Sequence, residues 1–129
     1  MASGARTPTV LVVDDSASLL ELLGAAFEEA GWVVGVAADG EEVFRKITAY
    51  DPDAILLDVY MPHINGVDVC RLIKAHPHWR KIHLVIMSSR MSDAEVESYR
   101  KVGADGTLRK PFEPAEAVAL LTAALAARG

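Results

Sequence analysis

Three short stretches of the chain are apolar at nearly every position: Thr-Val-Leu-Val-Val at 9–13, Ala-Ile-Leu-Leu at 54–57 and Leu-Val-Ile-Met at 84–87. A strand with one wet face alternates apolar and polar residues. A run without alternation suits a strand covered on both faces, as in a parallel sheet. Trp-Val-Val-Gly-Val-Ala at 32–37 reads as a further strand, weakened by Gly35. Asp-Gly-Thr-Leu-Arg at 105–109 is a short, polar fifth strand suited to a sheet edge.

Helical spacing fills the gaps. Leu19, Leu22, Leu23, Ala26, Phe27 and Ala30 recur every three or four residues, with Ser16 or Asp15 as cap and Gly31 as stop. A second helix is predicted over 41–49, ending before Asp51-Pro52. A third begins near Gly66 and turns Val69, Cys70 and Ile73 inward. A fourth covers 92–102, with Ser92 as cap and Gly103 as stop, and a fifth covers 115–127, with Pro114 in its first turn. Strand then helix, five times over, predicts an α/β fold: a doubly wound, five-stranded parallel sheet with helices on both faces. A short polar N-terminal tail, 1–8, precedes a single domain at 9–127.

Composition narrows the class. The chain has 129 residues, about half of them hydrophobic (51%), enough for one ordinary core. A formal net charge of −5 with no dense Lys/Arg cluster argues against direct nucleic-acid binding. No apolar run approaches the length of a membrane span, and the first residues lack a signal peptide's apolar stretch. The one cysteine, Cys70, excludes an internal disulfide and fits a cytoplasmic location.

Ligands of open α/β sheets bind beyond the carboxyl ends of the strands. There the sequence places Asp14-Asp15, Asp58, Ser88-Ser89 and Lys110-Pro111. Three converging carboxylates repel one another and call for a counter-ion. Hard oxygen ligands favour Mg²⁺ or Ca²⁺, and few protein ligands with room for water favour Mg²⁺. A carboxylate held ionised beside such a cation and the Lys110 ammonium can attack phosphorus and form an aspartyl phosphate. The Ser88 hydroxyl can donate to a phosphoryl oxygen, as can backbone N–H groups.

These residues carry a resemblance. Val-Leu-Val-Val-Asp-Asp-Ser at 10–16, Ala-Asp-Gly at 38–40, the stretch from Asp51 to Gly66, Val-Ile-Met-Ser-Ser at 85–89 and the stretch from Gly103 to Phe112 are together similar to the response-regulator receiver domains of two-component signalling, in particular chemotaxis-regulator-like single-domain receivers. The likeness spans nearly the whole chain. It implies a flavodoxin-like (βα)5 fold with strand order 2-1-3-4-5 and a phosphoacceptor signalling role. On this likeness Asp58 is the phosphoacceptor. Asp15 and Asp58 are direct Mg²⁺ ligands, Asp14 helps through water, and the backbone carbonyl of Tyr60 is a further ligand. Lys110 binds the phosphoryl group, Ser88 with neighbouring Ser89 supplies the switching hydroxyl, and the Lys110–Pro111 bond is often cis. The implied partners are a histidine kinase or histidine phosphotransfer protein and a downstream protein that the sequence does not name. The chain is then a phosphorylatable domain rather than an enzyme with a separate substrate.

Two departures stand out. Many receivers carry Tyr or Phe three residues before the lysine, and that ring turns inward as the hydroxyl residue moves; here the switch position is Thr107. The positions that tune hydrolysis of the acyl phosphate hold Tyr60 and Arg90, both large, and are expected to restrict the attacking water.

Plainer readings compete. Asp14-Asp15 alone can serve as helix caps. Met61-Pro62 and Asn65-Gly66 read as loop-shaping residues. His63, His76, His78 and His83 lack metal spacing and read as surface residues, Cys70 as a buried thiol, and Trp32 and Trp79 as packing residues. The fifth helix holds a single charged residue, Glu116; its bland outer face suits either alanine's helix preference or a contact surface for a partner or a second copy, a purpose that the fourth helix, fifth strand and fifth helix commonly serve in receivers. Rivals for function are a receiver-like module that is never phosphorylated, a flavodoxin-like electron carrier and an aspartyl-phosphate hydrolase. The carrier needs a Ser/Thr/Gly-rich loop where Asp14-Asp15 stands, and the hydrolase needs a cap insertion that the chain has no room for.

Overall fold

The computed structural model describes residues 7–61 and 64–128, with the backbone alone at Ile64. Five strands form one parallel sheet: β1 (Thr9–Val13), β2 (Val33–Ala37), β3 (Ala54–Asp58), β4 (His83–Ser88) and β5 (Gly106–Arg109). Their order is β2-β1-β3-β4-β5, as the resemblance implied. The registers pair Val10 with Ala54, Ala54 with His83, and Ile86 with Thr107. The helices are α1 (Ala17–Glu29), α2 (Gly40–Tyr50), α3 (Gly66–Ala75), α4 (Asp93–Lys101) and α5 (Pro114–Ala127).

The solid apolar runs mark the three central strands, whose alternate residues point into two separate layers. Leu11, Val13, Ile55, Leu57, Leu84 and Ile86 meet Val43 and Ile47 of α2, Val69, Cys70 and Ile73 of α3, and Tyr99 of α4. Val10, Val12, Leu56, Val85 and Met87 meet Leu23 and Phe27 of α1 and Ala117 and Leu121 of α5. Both faces are thus dry, the condition that removes alternation from a parallel strand. β2 and β5 lie at the edges, and β2 leaves Val33 and Val36 partly exposed.

Local chemistry sets the helix starts. Ser16 accepts from the N–H of Leu19, and Asp39 from that of Glu42. Ser92 and Glu95 form a reciprocal capping box, and Pro114 opens α5 behind Glu113. Trp32 packs edge-on against Phe27 at 5.1 Å, and Trp79 stacks on Phe44 at 5.8 Å, as packing residues do. Two of the histidines differ from the surface reading. His76 stacks on Trp79 at 4.0 Å and its Nδ1 accepts the N–H groups of His78 and Trp79. His83 opens β4 and is half-buried, so its charged form is disfavoured and its pKa is pushed down. His63 lies outside the described residues, as do Pro62 and residues 1–6 of the expected tail. Cys70 is buried and its thiol is pushed up to about 11, chiefly by burial.

Candidate phosphoryl and cation site

β1 and β3 are neighbours whose following helices cover opposite faces of the sheet, so a crevice opens where their carboxyl ends meet. Asp14 follows β1, and its N–H donates to the Ala37 carbonyl at 3.1 Å, extending the pairing with β2 by one residue. Its side chain is 1% exposed and accepts the N–H of Ser16 at 2.9 Å. Asp15 is exposed and faces the solvent edge. Asp58 is the last residue of β3 and is 4% exposed. One carboxylate oxygen from each of the three lies within 4.8 Å of the other two.

Lys110 reaches this cluster from the end of β5, where its N–H donates to the Ser88 carbonyl at 2.9 Å. Its ammonium lies 2.6 Å from Asp14 Oδ2 and 3.5 Å from Asp58 Oδ2. The Lys110–Pro111 bond is cis. One ammonium among three carboxylates leaves two negative charges uncompensated. Burial above all pushes the pKa of Asp58 up; the Tyr60 N–H, which donates to Oδ1 at 3.0 Å, acts against this, Asp14 adds to it, Lys110 opposes it, and Asp15 adds a little more. The set suits a small divalent cation: three hard oxygen donors, one of them exposed, with room for water on that side.

Not every expected residue points into the crevice. The Ser88 side chain is buried, and its hydroxyl donates to the Arg90 carbonyl at 3.1 Å while accepting the Arg90 N–H at 3.0 Å. Ser89 is exposed. Thr107 lies half-buried on β5, opposite Ile86. Tyr60 is 50% exposed beside the crevice; the Arg90 guanidinium stands 5.1 Å from its ring, and its hydroxyl donates to Glu95 at 3.2 Å.

The loop after Asp58 contains a small antiparallel bridge, Tyr60–Met61 with Ile64–Asn65, that the strand patterns do not predict. Asn65 then caps α3. Gly66 lies so close to β3 that a Cβ there would stand 2.4 Å from the Val59 Cα and 2.6 Å from the Asp58 carbonyl oxygen. Two residues that sequence reasoning passed over also border the site, Glu95 and Tyr99. The Ser92-to-Glu95 capping spacing is a usable signal for the first, and the three-residue spacing of Val96, Tyr99 and Val102 marks the second as inward-facing without showing its hydrogen-bond partner.

Comparison with known proteins defines the class. The family model described as the response regulator receiver domain matches residues 10–122. Most of the chain is covered, and the chain belongs to that family, the receivers of two-component systems. It is 38% identical over 129 residues, all of the chain and 54% of the relative, to the transcriptional regulatory protein PrrA of Mycobacterium tuberculosis. It is 35% identical over 116 residues, 90% of the chain and 50% of the relative, to the DNA-binding response regulator MtrA of the same organism. The chain thus spans about half the length of these curated relatives. Among solved structures, the chemotaxis response regulator CheY4 of Vibrio cholerae matches with a TM-score of 0.85 at 29% identity, covering 91% of this chain and 98% of that one. A response regulator from Chloroflexus aurantiacus, called putative in its description, matches with a TM-score of 0.85 at 32% identity, covering 94% and 99%. Among the described residues no helix is long and apolar enough to cross a membrane.

Proposed function

We propose that Asp58 accepts a phosphoryl group from a phosphohistidine on a histidine kinase or histidine phosphotransfer protein, with Mg²⁺ bound beside it, and that this changes affinity for a partner protein. The observation that carries the reading is the Lys110 ammonium between two buried carboxylates, 2.6 Å from Asp14 and 3.5 Å from Asp58. Asp14, Asp15, Asp58 and the Tyr60 carbonyl are the residues that would hold the cation. When bound, Mg²⁺ supplies positive charge to the carboxylates and to the phosphoryl oxygens.

The residues divide the work. Asp58 Oδ1 is held by the Tyr60 N–H, which leaves Oδ2, the oxygen nearer Lys110, as the nucleophile. The Oδ2–P bond forms as the P–N bond of the donor breaks, and the imidazole nitrogen leaves with the electron pair. Lys110 offsets negative charge on the phosphoryl oxygens. Ser88, on leaving the Arg90 carbonyl that its hydroxyl now bonds, donates a hydrogen bond to one of them. Tyr60 and Arg90 cover one side of the crevice and restrict the water that would hydrolyse the product. The domain takes part in its own phosphorylation and dephosphorylation without turning over a separate substrate.

Output through protein contact fits a stretch of formal charge −5, which opposes direct contact with nucleic-acid phosphates. α5 is compatible with a contact role for a partner or a second copy: Leu120 is exposed, while Ala119, Thr122 and Ala123 line a groove against Ala26, Glu29 and Ala30 of α1. A cytoplasmic setting fits a phosphohistidine donor and a reduced Cys70. Incubation with Mg²⁺ and phosphoramidate, followed by intact-mass measurement, tests the reading. The wild type should gain one phosphoryl group and Asp58→Ala none; no gain with phosphoramidate or acetyl phosphate would leave a receiver that signals without phosphorylation.

A further inference from the structure

With Thr107 on β5, no ring at that position can follow the Ser88 hydroxyl. A ring does reach the same layer from another element. Leu108 packs toward α1 and α5, so its neighbour Thr107 faces the opposite layer, to which Tyr99 of α4 belongs. Tyr99 is 3% exposed, and its hydroxyl donates to the Arg90 carbonyl at 3.3 Å. The Ser88 hydroxyl donates to that same carbonyl oxygen at 3.1 Å. One acceptor beside the crevice therefore joins the switching hydroxyl to a buried side chain of α4.

We infer that Tyr99 is a positioning residue that senses occupation of the crevice through the Arg90 carbonyl and passes it to α4. The inference rests on the phosphoacceptor reading. When a phosphoryl oxygen takes the Ser88 hydrogen bond, the Arg90 carbonyl loses one of its two hydroxyl donors. Tyr99 is then its remaining side-chain donor, and its bond carries more of the stabilisation in the occupied state than in the free one. A group that matters more in one state shifts the equilibrium between them, and the coupling is reciprocal. Loss of the Tyr99 hydroxyl should therefore weaken binding at the crevice that it borders. Loss of the Ser88 hydroxyl alone should move Tyr99 toward its occupied-state environment. A tyrosine that only fills the core would do neither.

Beryllofluoride with Mg²⁺, a mimic of a phosphoryl group on a carboxylate, is the probe, followed by fluorine NMR on protein containing 3-fluorotyrosine. The chain has three tyrosines, and the Tyr99 signal is the one lost in Tyr99→Phe along with its hydroxyl. Beryllofluoride should shift that signal in the wild type, and ligand-free Ser88→Ala should shift it in the same direction. Tyr99→Phe should bind beryllofluoride about 3- to 10-fold more weakly, the range set by one ordinary hydrogen bond. A bound-fluoride signal with an unmoved Tyr99 resonance, or unchanged affinity in Tyr99→Phe, would overturn this inference alone. No bound-fluoride signal in the wild type would overturn the phosphoacceptor reading and this inference with it.

Discussion

The Lys110 ammonium is paired more closely with Asp14 than with the expected acceptor, at 2.6 Å against 3.5 Å from Asp58. It thus serves two carboxylates that burial would otherwise leave uncompensated. Lys110→Met should lower stability in metal-free buffer by about 3 kcal/mol, the scale for breaking a buried ion pair. Urea unfolding at neutral pH measures this. Mg²⁺ should return part of the loss, because it supplies the missing positive charge and binds only the folded form. Phosphorylation by phosphoramidate should remain severely slowed even then, since no ammonium is left to face the phosphoryl oxygens.

Gly66 gives a prediction that joins packing to chemistry. A Cβ there meets backbone on β3 and beyond it, and no flexible side chain can yield. Gly66→Ala should cost about 2 kcal/mol, as overpacking does. It should also slow phosphorylation of Asp58, whose carbonyl is one of the atoms that must move. Normal stability and normal phosphorylation together would mean that α3 starts farther from β3 than described.

The sequence made the sheet legible because its three central strands are dry on both faces, and Val10–Val13 could hardly read otherwise. Asp14, Asp15, Asp58 and Lys110 were legible because strand ends converge by topology. Gly35 misled in a small way. It reads as a weakness in β2, yet it sits where a Cβ would come within 2.9 Å of the Tyr50 ring. That relation between β2 and the end of α2 has no local signature. The same holds for the second partners of Ser88: hydrogen bonds to a backbone carbonyl leave no residue type to recognise, so the bond from Tyr99 to the Arg90 carbonyl stayed hidden. His83 escaped for a similar reason, since half-burial at the start of a central strand depends on its neighbours.

His83 supplies one part of the pH dependence, just below its ordinary value. Burial lowers its folded-state pKa below the ordinary value of 6.5. Between the lowered value and 6.5 the unfolded chain binds more protons than the folded one, so stability rises with pH across that window and falls as the solution is acidified through it. His83→Gln should flatten this part of the stability profile, measured by urea unfolding at closely spaced pH values below 7. An equally steep profile in the variant would assign the slope to other groups.

On the proposed function, Tyr60 and Arg90 are expected to lengthen the lifetime of the phosphorylated form. The guanidinium 5.1 Å from the ring and the hydroxyl bond to Glu95 hold Tyr60 beside the crevice. Tyr60→Asn and Arg90→Ala should each hasten loss of the phosphoryl group several-fold, on the order of 1 kcal/mol in the barrier to hydrolysis. The decay is followed by intact mass after removal of the donor. Unchanged or slower decay in both variants would mean that neither side chain restricts the water.

The most direct measurement identifies the modified residue. Phosphorylated protein is reduced with borohydride, which converts an acyl phosphate to an alcohol, and its peptides are sequenced by mass spectrometry. The expected result is one reduced position, Asp58, seen only when Mg²⁺ and donor are both present. Reduction at Asp14 or Asp15 instead, or phosphoprotein that carries its label on Ser88 or a histidine, would contradict the assignment of Asp58 as the acceptor.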